Sequence, residues 1–178
     1  MQVPLFRTFV WKQSIPGLGI TCIFLSCVLH FKTCKLVDRI LKMVANVMAD
    51  LKRRDESFEI NKAVVASLES AITIHDIKKK LLPTSYFNLS NAYDEANLYP
   101  EALATAQKGI AFCQNYGEYK TFGELHYNVG KAYYFMSNSE QAKLYFQQAH
   151  TILISQGKFD IAGFVKKKVR EKYKITVE

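Results

Sequence analysis

Residues 86–110 read YFNLSNAYDEANLYPEALATAQKGI, and residues 126–152 read HYNVGKAYYFMSNSEQAKLYFQQAHTI. With Tyr86 set against His126, Asn88 falls on Asn128, Leu89 on Val129, Ser90 on Gly130, Ala92 on Ala132 and Tyr93 on Tyr133. Further along, Ala102 falls on Ala142, Ala106 on Phe146 and Gly109 on Ala149. Residues three, four and seven apart on a helix share one face. The matched slots obey that spacing, so each stretch reads as two amphipathic helices joined by a short turn. Small residues at Ser90/Gly130 and Ala102/Ala142 let the two helices of a pair approach closely. Leu89/Val129 and Tyr93/Tyr133 then fill the wedge between successive pairs.

Outward from these stretches the helical period continues over nearly all of the chain from residue 35 onward, with no strand alternation. Breakers stand at Arg53–Ser57, Pro83–Thr84, Ala96–Pro100, Asn115–Gly117, Ser137–Ser139 and Gln156–Gly157, a cadence that suits antiparallel helix pairs on short turns. LVDRILKMVANVMADL (36–51) and EINKAVVASLESAI (59–72) read as one more pair across the charged turn KRRDES. FDIAGFVKKKVREKY (159–173) puts Ile161, Phe164, Val165 and Val169 on one stripe and cations elsewhere, as a helix that closes an open array must. The prediction is an all-α hairpin array over residues 35–178, with hairpins at about 36–73, 84–114 and 121–155 and a capping helix at 159–173.

Composition narrows the function classes. With 178 residues, 49% of them hydrophobic, the chain can bury a core as one domain or one short array. The net charge of +8 is concentrated at Lys78–Lys80 and at Lys166, Lys167, Lys168, Arg170, Lys172 and Lys174. Both clusters read as solvated helix ends, where cations also suit the macrodipole, with a nucleic-acid patch as the alternative. Cys22, Cys27, Cys34 and Cys113 form no CxxC pair and no zinc-type cluster with histidine, so reduced thiols are expected. His126 falls in a core-facing slot. No nucleophile elbow, phosphate loop or HExxH is present, so neither an enzyme nor a bound cofactor or metal is expected. Residues 15–31, IPGLGITCIFLSCVLHF, carry no charge but are at the short limit for a membrane span and contain Pro16, Gly17, Gly19 and His30. Residues 1–34 are therefore read as an atypical apolar segment, either a buried helix of a cytoplasmic array or a membrane anchor.

The slot pattern of bulky, apolar, small and aromatic residues in a first helix, with Ala, bulky or small, and Ala in a second, is the signature of the tetratricopeptide repeat. It implies a right-handed α-superhelix. The offset of forty exceeds the repeat's usual thirty-four or so, which assigns an extra stretch around Cys113–Thr121 to the second helix or the loop after it. In such an array the first helix of each pair lines a concave wall. The candidates there are Phe87, Asn88, Asn91, Asp94 and Glu95, then Tyr127, Asn128, Lys131 and Tyr134. An asparagine amide offers donors and an acceptor, so it can hold both sides of an extended peptide backbone, with aromatic pockets beside it. The alternatives are solubilising amides on an empty groove and tyrosines that only pack. Lys131 has two readings, a ligand carboxylate or a pair with Asp94 or Glu95. Because hairpin packing gives Asn88 and Asn128 no task, these two carry the functional expectation.

The line SYFNLSNAY…EALATAQKGIAFC…ELHYNVGKAYY…QAKLYFQQAHTIL resembles the C-terminal, peptide-sensing repeats of the PlcR/Rgg-like (RRNPP) transcriptional regulators of Gram-positive bacteria, over about residues 36–170. The resemblance implies that amides at Asn88, Asn128 and Asn46 hold the backbone of a short signalling peptide, and that the chain pairs as a homodimer. Those regulators begin with a helix-turn-helix domain, which nothing before residue 35 resembles, so direct nucleic-acid binding is not expected. The chain then reads as a fragment of a longer regulator or as a stand-alone repeat protein. The alternative function is a generic scaffold that recruits a partner-protein segment, tethered to a membrane through residues 15–31.

Overall fold

A computed structural model describes residues 54–70 and 75–177. Its six helices are α1 (Arg54–Ser70), α2 (His75–Glu95), α3 (Tyr99–Tyr116), α4 (Phe122–Phe135), α5 (Ser139–Ser155) and α6 (Phe159–Tyr173). No strand occurs among the described residues, and the all-α reading holds. None of the described helices is long and apolar enough to cross a membrane. Residues 1–34, the helix expected at 36–51 and Asn46 lie outside the described residues.

One turn is built three times. After α2, Leu98 N–H donates to Tyr93 O (2.9 Å) and Asn97 N–H to Asp94 O (3.0 Å). After α4, Asn138 N–H donates to Tyr133 O and Ser137 N–H to Tyr134 O. After α5, Lys158 N–H donates to Leu153 O and Gly157 N–H to Ile154 O. This is the Schellman arrangement, which satisfies the orphan carbonyls of a helix end and needs one residue in the left-handed region. Asn97, Ser137 and Gly157 supply it, with φ of 60°, 62° and 71°. Five residues beyond each lies a buried alanine, Ala102, Ala142 or Ala162, so a repeated turn delivers a repeated close approach. The turn after α3 opens in the same way, with Gly117 left-handed and Glu118 N–H on Cys113 O, but runs on to Thr121 before α4 begins.

Directions follow from which residues meet. A side chain at Gly123 would strike Leu153, and one at Gly130 would strike Phe146, so numbers rise on α4 as they fall on α5: the two are antiparallel. Between α2 and α4 the numbers rise together. Thr84 meets Thr121, Ser90 meets Asn128 and Asp94 meets Lys131, so these first helices of successive hairpins run parallel. The core of the second hairpin gathers Tyr127, Ala142, Phe146, Ala149 and Leu153 from α4 and α5 with Ala162, Val165, Val169 and Tyr173 from α6, and Val177 closes over it. Beneath the far end, Lys158 pairs with Glu124 (2.6 Å) and also reaches Lys120 O, while Gln156 donates to Tyr119 O (2.6 Å). The turn after α5 is thereby fastened to the loop before α4.

Three local expectations are corrected. Arg54–Ser57 is the start of α1, not a breaker. Pro83 lies inside α2, where its buried ring sits beside Leu81 and Leu82 in the core; burial there outweighs the single helix hydrogen bond that proline removes. Lys78–Lys80 therefore stand in the first two turns of α2, at the N-terminal end, where the macrodipole does not favour cations. On α6 the buried stripe is Ala162, Val165, Val169 and Tyr173, whereas Ile161 and Phe164 are exposed. Its phase is set by the small Ala162, which admits the close approach to α5.

Candidate functional site

The parallel seam of α2 and α4 brings most of the expected site residues together. At its centre Asn128 is buried, with 3% of its surface exposed. Its amide nitrogen donates to Ser90 Oγ (2.6 Å) and to Phe87 O (3.3 Å), and Ser90 Oγ in turn donates to Phe87 O (2.9 Å). The expectation that packing leaves Asn128 without a task is therefore corrected: this amide ties one hairpin to the next. Its Oδ1 atom is buried and has no hydrogen-bond partner. Tyr127 is likewise no open wall residue, because it belongs to the buried core and its ring packs on Phe146.

Asn88, the matched amide, behaves differently. It is half-buried, and among the described residues its side chain makes no hydrogen bond. Phe87 and Asn91 flank it on α2, also half-buried. Asn91 Oδ1 accepts from Lys131 Nζ (3.1 Å), and its amide N–H groups donate to nothing among the described residues.

One turn further along the seam lies Lys131. Its ammonium pairs with Asp94 (2.8 Å) and lies 5.7 Å from the centre of the Tyr127 ring. Both partners are largely shielded, with side chains 12% and 15% exposed, so the pair is less screened than an ordinary surface bridge. Asp94 Oδ1 and the hydroxyls of Tyr127 and Tyr173 are buried without a hydrogen-bond partner. The two phenols face each other closely enough to interact, though without good hydrogen-bond geometry. Burial, chiefly, raises both their pKa values, and the negative charge of Asp94 adds to it. Both are protonated at neutral pH and can only serve as neutral donors or acceptors.

Beside this cluster α6 contributes what sequence reasoning missed. Tyr173 packs edge-on to Tyr134 (4.7 Å between ring centres) and stacks on Phe146 (5.1 Å). Lys172 lies over Phe135 and Tyr173, and Lys168 over Phe164. The helical register of 164, 168 and 172, each one turn on from the last, is the signal that could have found them. It was hidden because five cations crowd into residues 166–172.

Two further groups are excluded from chemistry by their surroundings. Burial and the nearby Glu118 carboxylate push the Cys113 thiol up to about 12, so it stays an unreactive core thiol. His126 is buried, and its Nδ1 donates to Phe122 O (2.8 Å); burial lowers its pKa, so it remains neutral. Compared with known proteins, the chain matches no family model and no curated protein.

Proposed function

We propose that this chain is a peptide-binding module of the tetratricopeptide type, the sensor part of a peptide-responsive transcriptional regulator, acting in the cytoplasm. The observation that carries the reading is the row of half-buried Phe87, Asn88 and Asn91 on α2, running beside Lys131 and Tyr134 on α4. Asn88 adds an amide with no intramolecular hydrogen bond among the described residues. Such an amide can take both an N–H and a C=O from an extended backbone, and the ring of Phe87 gives an adjacent side chain an apolar contact. The parallel α2 and α4, their antiparallel partners and the thrice-built turn support the superhelical repeat architecture in which such rows line a groove.

This reading moves the weight of recognition from Asn128 to Asn88 and Asn91. Titration of apolar octapeptides by calorimetry tests it. Binders should lose about three- to tenfold in affinity with Asn88→Ala and again with Asn91→Ala, the worth of one or two hydrogen bonds each. Unchanged affinity in both variants would refute the assignment of the face.

A further inference from the structure

The end of this face where α6 meets α4 is charged out of balance. Lys131, Lys168 and Lys172 converge there, but Asp94 already holds Lys131, and neither Lys168 nor Lys172 forms an ion pair among the described residues. Mutual repulsion is felt: burial first, then Lys131 and Lys172, make the Lys168 ammonium less stable than a free one. Lys168 lies 5.1 Å from the centre of the Phe164 ring, and that ring is 58% exposed, so cation and apolar surface stand side by side without cover. Behind them are the Tyr127 and Tyr173 hydroxyls, on side chains more than nine-tenths buried and without hydrogen-bond partners. A solvated helix end would explain Lys166, Lys167 and Arg170, which are exposed, as Lys172 also is, but lie over no aromatic ring among the described residues. It does not explain two unpaired ammoniums set on aromatic rings beside a third.

We propose that Lys168 and Lys172, with the exposed ring of Phe164 next to them, form a subsite that takes a carboxylate of the bound peptide together with the apolar side chain beside it. This rests on the peptide-binding reading above and deepens it. A carboxylate there relieves the repulsion among the three ammoniums and gains charge-assisted hydrogen bonds. The apolar neighbour covers the Phe164 ring. The carboxylate can be the peptide's terminus or an acidic side chain, and the two are chemically alike at this distance.

The test uses the full chain and a pool of apolar-rich octapeptides made in three forms: free acids that include Asp and Glu, the same peptides amidated at the C-terminus, and free acids without Asp or Glu. Binders from the first form are titrated by fluorescence polarisation against the wild type, K168Q, K172Q and K168R. Loss of the carboxylate should weaken binding about tenfold. K168Q should cause a loss of the same size that does not add to it, and K168R should keep most of the affinity. A drop on amidation assigns the terminus, and a drop on removing Asp and Glu assigns a side chain; either supports the subsite. If peptides bind but neither carboxylate removal nor K168Q and K172Q changes their affinity, the subsite is wrong and the peptide face stands. If no peptide in the pool binds, both fall. Thermal melts of each variant exclude misfolding, since Lys168 and Lys172 lie outside the core.

Discussion

The hairpin α2–α3 and the hairpin α4–α5 carry the same slots and fill them in opposite ways. In the first, Ser90 stands where the second has Gly130, and Ala106 where the second has Phe146; all four are buried. The second hairpin gives the volume to one partner: a side chain at Gly130 would begin 2.7 Å from the Phe146 ring. The first divides it between two small residues. What repeats is therefore the space between helices, not the residue that fills it. Polar slots diverge further. Asn128 is sealed into a hydrogen bond across the seam, whereas Asn88, at the same slot, is half-buried with its amide unengaged among the described residues.

The largest way to break this comparison is Phe146→Ala. It removes a ring that stacks on Tyr173 and leaves a hole against Gly130, and should lower unfolding free energy by about 3–5 kcal/mol in urea titrations followed by circular dichroism. The sharper form exchanges the slots. Gly130→Ser alone should destabilise by about 1–3 kcal/mol, because its side chain meets the ring. Added to Phe146→Ala, the same substitution should stabilise, since the pair then reproduces Ser90 and Ala106. Additive losses would show that the two hairpins do not share one packing solution.

Next in size is the contrast between the asparagines. Asn128→Ala removes the donor to Ser90 Oγ and Phe87 O in a buried seam and should cost about 1–3 kcal/mol. Asn88→Ala should stay within about 0.5 kcal/mol of the wild type. Equal losses would mean that Asn88 also serves the fold, and would weaken its assignment to ligand.

That contrast also marks how far the sequence could be read. Helix pairs, their turns and the small residues at Ala102 and Ala142 were legible because each is written within one or two helical turns. The fate of Asn128 was not, since its partner Ser90 is 38 residues away and the contact depends on how far α4 slides along α2. No local pattern carries that offset. The α6 face was misread for a related reason: Ile161 and Phe164 are apolar by type, but the phase of the buried stripe is set by where Ala162 meets α5. Pro83 failed as a boundary because burial beside Leu82 outweighs what proline removes locally. Asn91, Asp94 and Lys131, assigned to one face by helical spacing, meet in the structure, while Lys168, Lys172 and Tyr173 were lost among the cations of a helix read as a cap.

The slots of Tyr86 and His126 differ in what they make of pH. Tyr86 donates to Glu69 (2.6 Å), and burial raises its pKa, so it does not titrate in the ordinary range. His126 does, because burial lowers its pKa in the folded chain below the unfolded value near 6.5. The unfolded chain then binds the proton more readily than the folded one. Stability is thus full above about pH 6.5 and falls as pH drops below it. Urea midpoints between pH 7.5 and 5 should show this decline in the wild type and a shallower one in His126→Gln. A flat wild-type profile would mean that the imidazole is as easily protonated folded as unfolded.

The smallest effect tests the turns. Asn97 and Ser137 hold the same left-handed place after α2 and α4, with φ of 60° and 62°. Asparagine tolerates that region better than serine, and glycine occupies it without strain. Glycine at an ordinary site would instead loosen the unfolded chain and destabilise. The two terms oppose each other, and the strain relieved is greater at Ser137. Ser137→Gly should therefore raise the unfolding free energy by about 0.5–1 kcal/mol, while Asn97→Gly should change it by about half as much or less. Ser137 is exposed and the turn's hydrogen bonds come from its backbone, whereas Asn97 Oδ1 also accepts from Tyr99 OH (2.7 Å), a contact that Asn97→Gly removes and that lowers its gain further. Thermal melts of the two variants side by side decide it: if Asn97→Gly gains as much as Ser137→Gly, the strain belongs to the turn as a whole and not to the residue that each hairpin places in it.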